Sequence, residues 1–173
     1  MKGLRQIPRI LKINRVRGYQ VSCLFNNGES RVIDFEKFFK TKKLRKGHPA
    51  RILLKDLKEF KQIEVIENTI GWKNVGMTGK DIEGKEQFYY FDLDPIVLYE
   101  NSEPDESRSL RIGQMIKAER KKAGLTQDEL ARKSGTSKHY ISRLENNKSD
   151  IELLTLRKII EAGLGRDLKI QID

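Results

Sequence analysis

Residues 125–149 read LTQDELARKSGTSKHYISRLENNKS. Thr126-Gln127-Asp128-Glu129 has the spacing of a capping box, in which Thr126 caps a helix and Glu129 reaches back to the Thr126 backbone N–H. Leu125 and Leu130 stand at the two positions of a hydrophobic staple across the same helix start. Ala131 is small where a second helix has to cross closely, Gly135 supplies a turn, and Ser137 caps the next helix. In that helix Ile141 and Leu144 share one side, while Lys138, His139, Ser142 and Arg143 share the other. The pattern predicts two short helices joined by a tight turn, the second displaying hydrogen-bond donors. A helix presented this way fits the DNA major groove, where Arg and Lys read guanine and the helix N-terminus favours phosphate.

The flanks continue the helical reading. In LRIGQMIKAERKKAG (110–124), Ile112, Met115, Ile116 and Glu119 fall at helical spacing, with Met115 assigned to the core and Gly124 closing the helix. In IELLTLRKIIEAG (151–163), Leu153, Leu156, Ile159 and Ile160 form another apolar side. The ending GRDLKIQID alternates Leu168, Ile170 and Ile172 with Asp167, Lys169, Gln171 and Asp173, as in a half-buried strand. A lone strand leaves backbone groups unpaired, so it needs its own copy in a second subunit or an edge of the preceding domain.

Residues 110–165 resemble the phage-repressor-like (XRE) helix-turn-helix family, in residue types and in their spacing. That resemblance implies a bundle of about five helices that binds operator DNA as a dimer. It implies phosphate contacts from Gln127 and Asn146, base contacts from Lys138, His139 and Arg143, and Tyr140 and Ser142 beside the DNA backbone, with Ser137 also among the DNA-binding residues. Arg120 and Glu145 match a pair that forms a structural salt bridge between the first and third helices. Asn147 stands where the family usually has glycine, and Asn is the next most tolerant residue of the left-handed conformation. The strand-like ending resembles the β-tailed helix-turn-helix antitoxins.

The first hundred residues read differently. RILKINRV and GYQVSCLF have extended patterning, Asn26-Asn27-Gly28 supplies turn chemistry, and SRVIDF resumes the extended pattern, so a hairpin is expected. LLKDLKEFKQ predicts a short helix, IEVI and QFYYF predict strands, and the glycine-rich KNVGMTGKDIEGKE (73–86) predicts a mobile loop. Asp94 before Pro95 has the form of a helix cap. The hairpin, Trp72 and DLDPIVLYE (92–100) resemble a small α+β domain of unknown function that precedes such DNA-binding domains, and bring no catalytic mechanism. The expected organisation is an α+β antiparallel-sheet domain at 1–100, a linker at 101–108, and an all-α helix-turn-helix domain with a C-terminal strand at 109–173.

Composition narrows the function classes. The chain has 173 residues and a net charge of +10. Residues 1–50 hold 13 basic against 3 acidic side chains, 51–108 hold 8 against 13, and 109–173 hold 14 against 9. A basic excess favours polyanions, although solubility alone also accounts for one. No apolar run approaches the roughly 20 residues that span a membrane. The single cysteine, Cys23, excludes an internal disulfide, fits a reducing cytoplasm and reads as buried filler. Two histidines, His48 and His139, give no metal-ligand spacing, and GMTGKDIEG lacks the ending of a phosphate loop. Neither an enzyme, a cofactor nor a metal site is expected. The expected function is sequence-specific binding of double-stranded DNA by a homodimer on an inverted repeat, as an antitoxin-type autorepressor whose front domain holds a toxin protein. The alternative is a repressor whose front domain binds a small molecule. Leu168, Ile170 and Ile172 are the expected dimerisation residues.

Overall fold

Gly18 and Gly28, both at positive φ, divide the start of the chain into three antiparallel strands: β1 (Ile10–Arg17), β2 (Gln20–Phe25) and β3 (Ser30–Asp34). The computed structural model describes residues 7–171 and separates into two compact units, divided between Ser109 and Leu110. The first unit is α+β, and the second is helical.

In the first unit the Asp34 carboxylate accepts from Lys37 N at 3.0 Å and starts α1 (Phe35–Lys40). The chain that reads as one short helix forms two, α2 (Pro49–Lys55) and α3 (Leu57–Phe60), because Asp56 leaves the helical region and caps the second. Then come β4 (Glu64–Ile66), β5 (Thr69–Lys80) and β6 (Glu86–Leu93), which make a three-stranded sheet in that order. Asp94 caps α4 (Pro95–Glu100), accepting from Ile96 N at 2.7 Å. The core lies between the inner faces of the sheets and the short helices. Phe35, Phe60 and Trp72 pack ring to ring with centroids 5.3–5.6 Å apart, and Trp72 Nε1 donates to the Phe60 carbonyl at 2.8 Å. Each fully buried side chain of this size contributes about 1.5–3 kcal/mol.

Two expectations fail here for one reason. Residues 73–86 do not form a mobile loop but the outer half of the β5–β6 hairpin, with Gly76 opposite Tyr90 and Lys80 opposite Glu86. Gly76 is required there, since a Cβ would lie 2.1 Å from the Tyr89 carbonyl oxygen. Residues 101–108 do not form a linker either: Ser102–Pro104 is a strand, β7, that extends the first sheet to the order β1-β2-β3-β7. Arg31 donates from Nε to Ser102 Oγ and from Nη2 to the Ser102 carbonyl, each at 2.7 Å. The buried Asp105 carboxylate accepts from the Ser22 and Ser107 hydroxyls. The two buried polar residues of this stretch, Ser102 and Asp105, take hydrogen bonds from the distant Arg31 and Ser22, which composition alone does not reveal.

The second unit contains α5 (Ile112–Lys122), α6 (Gln127–Ser134), α7 (Lys138–Glu145) and α8 (Leu153–Lys158), the last running on as a π turn over Ile159–Gly163. Its core is Ile116, Leu130, Ala131, Ile141, Leu144, Leu156, Ile159 and Ile160. Met115 and Leu153, expected in this core, are 50% and 56% exposed. Helical spacing marks an apolar stripe but not the width of the surface that it meets. The expected C-terminal strand is not formed within the chain: residues 166–171 are neither helix nor strand, and both sheets draw only on residues 10–104. Leu168 packs against the helical core, Ile170 is exposed, and Ile172 lies outside the described residues. Among the described residues no helix is long and apolar enough to cross a membrane.

Asp105→Ala removes the acceptor of the buried Ser22 hydroxyl and loosens the end of β7 from its sheet. We expect a loss of about 1–3 kcal/mol from the first unit. Trp72 is the only tryptophan, so its fluorescence during urea unfolding reports that unit alone. An unchanged midpoint would show that Asp105 does not anchor the strand.

Candidate nucleic-acid interface

Local chemistry places both helices of the turn. Thr126 N donates to Glu129 Oε2 at 2.7 Å and Glu129 N to Thr126 Oγ1 at 3.2 Å, which completes the capping box of α6. Gly135 takes the left-handed conformation that ends α6, and the Ser137 hydroxyl accepts from Tyr140 N at 3.1 Å to start α7. Gly113 allows α5 and α7 to touch, since a Cβ there would stand 2.0 Å from the Leu144 carbonyl oxygen. Asn147 adopts φ 53°, so asparagine does hold the left-handed position after α7.

The Arg120 guanidinium locks this arrangement. Its Nε and Nη2 donate to the two carboxylate oxygens of Glu145 at 2.6 and 3.0 Å, and its Nη1 donates to the Leu125 carbonyl at 2.7 Å. The Glu145 side chain is fully buried and that of Arg120 nearly so. Gln127 Nε2 adds a third donor to the carboxylate, at 2.8 Å. Burial pushes the Glu145 carboxyl up, but the hydrogen bonds from Arg120 and Gln127 and the Arg120 charge hold it below the usual range. The hydrogen bond that Arg120 donates to Glu145 raises Arg120 in turn.

On this frame α7 turns Ile141 and Leu144 inward and leaves Lys138, His139 and Arg143 exposed, with Ser142 half-buried on the same side. Its first turn carries no acid, so nothing there offsets the positive end of the helix. Ser137 opens that face and Asn146 closes it, the Asn146 amide donating to the Ser142 carbonyl at 2.7 Å. Two of the expected contact residues also have internal duties. Gln127 braces Glu145, and Tyr140 is half-buried against the core with its hydroxyl donating to the Asp150 carbonyl at 3.3 Å. Arg143 folds back so that Nη2 donates to the Lys148 carbonyl at 3.0 Å. Lys148, exposed beside it, joins the candidate surface. Sequence reasoning passed over it, although a lysine directly after a donor-bearing helix was the available signal.

The remaining reactive residues lie elsewhere. Cys23 is buried in the first unit, where desolvation pushes its thiol up to about 12. His48 caps α2 through Nδ1. Among the described residues no three His, Cys, Asp or Glu side chains gather as metal ligands.

The helix-turn-helix family model matches residues 116–163. Among solved structures, the restriction-modification controller protein C.Esp1396I is 33% identical over 33% of this chain and 74% of its own, with a TM-score of 0.32. A candidate DNA-binding protein of Nitrosomonas europaea ATCC 19718, NE0471, aligns over 88% of this chain and 84% of its own at 12% identity, with a TM-score of 0.35. No curated protein matches the chain.

Glu145→Ala leaves the Arg120 guanidinium buried without its partner and should cost about 3–5 kcal/mol of helical-unit stability. The pair also sets an acid limit. Because the folded-state Glu145 value is depressed, its contribution is complete above the ordinary glutamate range and is lost as pH falls through that lower value. Thermal melts followed by far-UV circular dichroism test both statements. A Glu145→Ala protein that melts like the wild type but binds DNA poorly would instead put Glu145 at the DNA.

Proposed function

We propose that this chain, a DNA-binding transcriptional regulator whose C-terminal domain belongs to the helix-turn-helix family, is a repressor acting as a homodimer on an inverted-repeat operator. The observation that carries this reading is the face of α7. Three exposed side chains rich in donors stand on a short helix whose other side is clamped by a buried ion pair. In the proposed complex Lys138, His139 and Arg143 meet base edges, Gln127, Asn146 and Lys148 meet phosphates, and Ser137, Tyr140 and Ser142 lie beside the DNA backbone.

The dimer reading draws on the tail. Met115, Ile116, Ile160, Leu164 and Leu168 line a groove of about 310 Å³, and Ile170 lies exposed beyond it. Exposed apolar surface next to a segment of alternating apolar and polar residues is what a small intersubunit sheet would cover. Two recognition helices must reach successive major grooves about 34 Å apart, and a fixed subunit geometry supplies that spacing. An antitoxin role would give the first unit a toxin to hold, and a sensor role would give it a small molecule. A groove in that unit favours the sensor.

Arg143→Ala should weaken operator binding by about 1–3 kcal/mol and relax base preference at one position. Fluorescence anisotropy on operator and random duplexes, repeated over a salt series, measures both effects. Unchanged affinity and preference would remove Arg143 from the interface.

Deleting Leu168–Asp173 should leave a folded helical unit that sediments as a monomer and binds the operator far more weakly. A truncated protein that still sediments as a dimer would place the subunit contact elsewhere.

A further inference from the structure

We propose that the first unit binds a small amphipathic anion, an aryl or alkyl body ending in a carboxylate, in the groove between the α1–α2 loop and β6. This rests on the sensor reading above and gives it a ligand class. The groove holds about 740 Å³, within the range of small-molecule sites. Phe38, Phe39, Leu44, Phe91, Leu93 and Val97 supply its apolar lining. Its lip carries Lys42, Lys43 and Arg45. The Lys42 ammonium sits 5.1 Å from the centroid of the Phe38 ring, so positive charge borders the apolar lining directly. Among the described residues the Lys43 and Arg45 side chains have no ion pair or hydrogen bond.

The lip is anchored. Arg51 Nη2 donates to the Leu44 carbonyl at 2.8 Å. His48, which caps α2, sets its ring edge against Phe91 with centroids 5.5 Å apart. The groove also has two aspartates. Both are exposed, and Asp94 also caps α4, so the three cations of the lip face two carboxylates and leave an excess of one positive charge. Three cations at the mouth of an apolar groove favour a ligand with an anionic head and an apolar body. A cation of the same shape would gain the burial but meet like charge.

The test uses the full chain and 1-anilinonaphthalene-8-sulfonate, an apolar ring system with one negative group, in a fluorescence titration. We expect saturable binding at one site per chain, displaced by decanoate and not by decyltrimethylammonium. The Lys43→Glu/Arg45→Glu double substitution, at exposed positions, should weaken probe binding about tenfold. Asp92→Asn should tighten it two- to threefold, roughly the effect of one exposed charge, with stoichiometry still one per chain and an unchanged urea midpoint, which separates this gain from the extra probe uptake of a loosened core. Equal displacement by the cation, or affinities unchanged in both variants, would overturn the site. Loss of DNA affinity in the double variant with unchanged probe binding would overturn it too, by making the lip a phosphate contact. A second arm titrates decanoate into the operator complex. A shift in operator affinity supports the sensor reading, whereas tight decanoate binding with unaltered operator affinity would keep the site and overturn the sensor.

Discussion

Arg120 and Glu145 lie out of water, and what α6 and α7 display depends on their meeting. The pair joins α5 to the end of α7, Gln127 brings in the start of α6, and the Leu125 carbonyl ties in the turn before it. Three helices of 8 to 11 residues are too short to hold their places by propensity, so packing and this pair must do it. Taking both charges out of water costs several kcal/mol per ion, and the bidentate geometry with two further hydrogen bonds offsets that cost. Its net contribution to stability is therefore small. Its effect is on arrangement: a helix that slips by one residue leaves a buried charge unpaired, so competing packings are penalised.

In the proposed complex, side chains on the candidate surface that already have an internal partner would exchange it for DNA or share it. Arg143 bonds the Lys148 carbonyl, and reaching a base edge means giving up that bond. The exchange is cheap, since an exposed hydrogen bond contributes about 0.5–1.5 kcal/mol net and water or DNA replaces it. A long side chain held in place by this bond beforehand would lose less entropy on forming the proposed contact. Gln127 differs. Its amide is part of the buried network, so a phosphate contact there has to use whatever the bond to Glu145 leaves free.

How much of this was legible follows from the range of each interaction. The capping box, the Ser137 cap and the Gly135 turn depend on residues within a few positions of one another, and the sequence displays them, whereas the left-handed Asn147 was read from the family likeness. Arg120 and Glu145 are 25 positions apart, and only the likeness to a known family paired them. β7 was hidden because Ser102, Glu103 and Asp105 are polar, and polar segments read as solvent-exposed unless their distant partners, Arg31 and Ser22, are known. Glycines hid the outer half of β5 in the same way, by removing the alternation that marks a strand. The groove of the first unit joins residues 38–48 to 91–97, so no local pattern announces it.

Of the exposed apolar side chains in the helical unit, Leu110 stands ahead of α5 at 84% exposed, and the others form two groups, of which geometry favours one for the proposed subunit contact. Leu153 and Leu154 are 56% and 71% exposed at the start of α8. Neighbours on a helix diverge by roughly 100°, so one flat partner cannot cover both. Leu168 and Ile170 are two positions apart in a segment whose period of two puts alternate side chains on one face whenever it is extended. Met115 and the groove beside Leu168 continue that apolar face onto the helices. In the proposed dimer a second copy of the tail would pair with it as a strand and cover this face. For Leu153 and Leu154, whose backbone lies in a helix, no strand pairing is available.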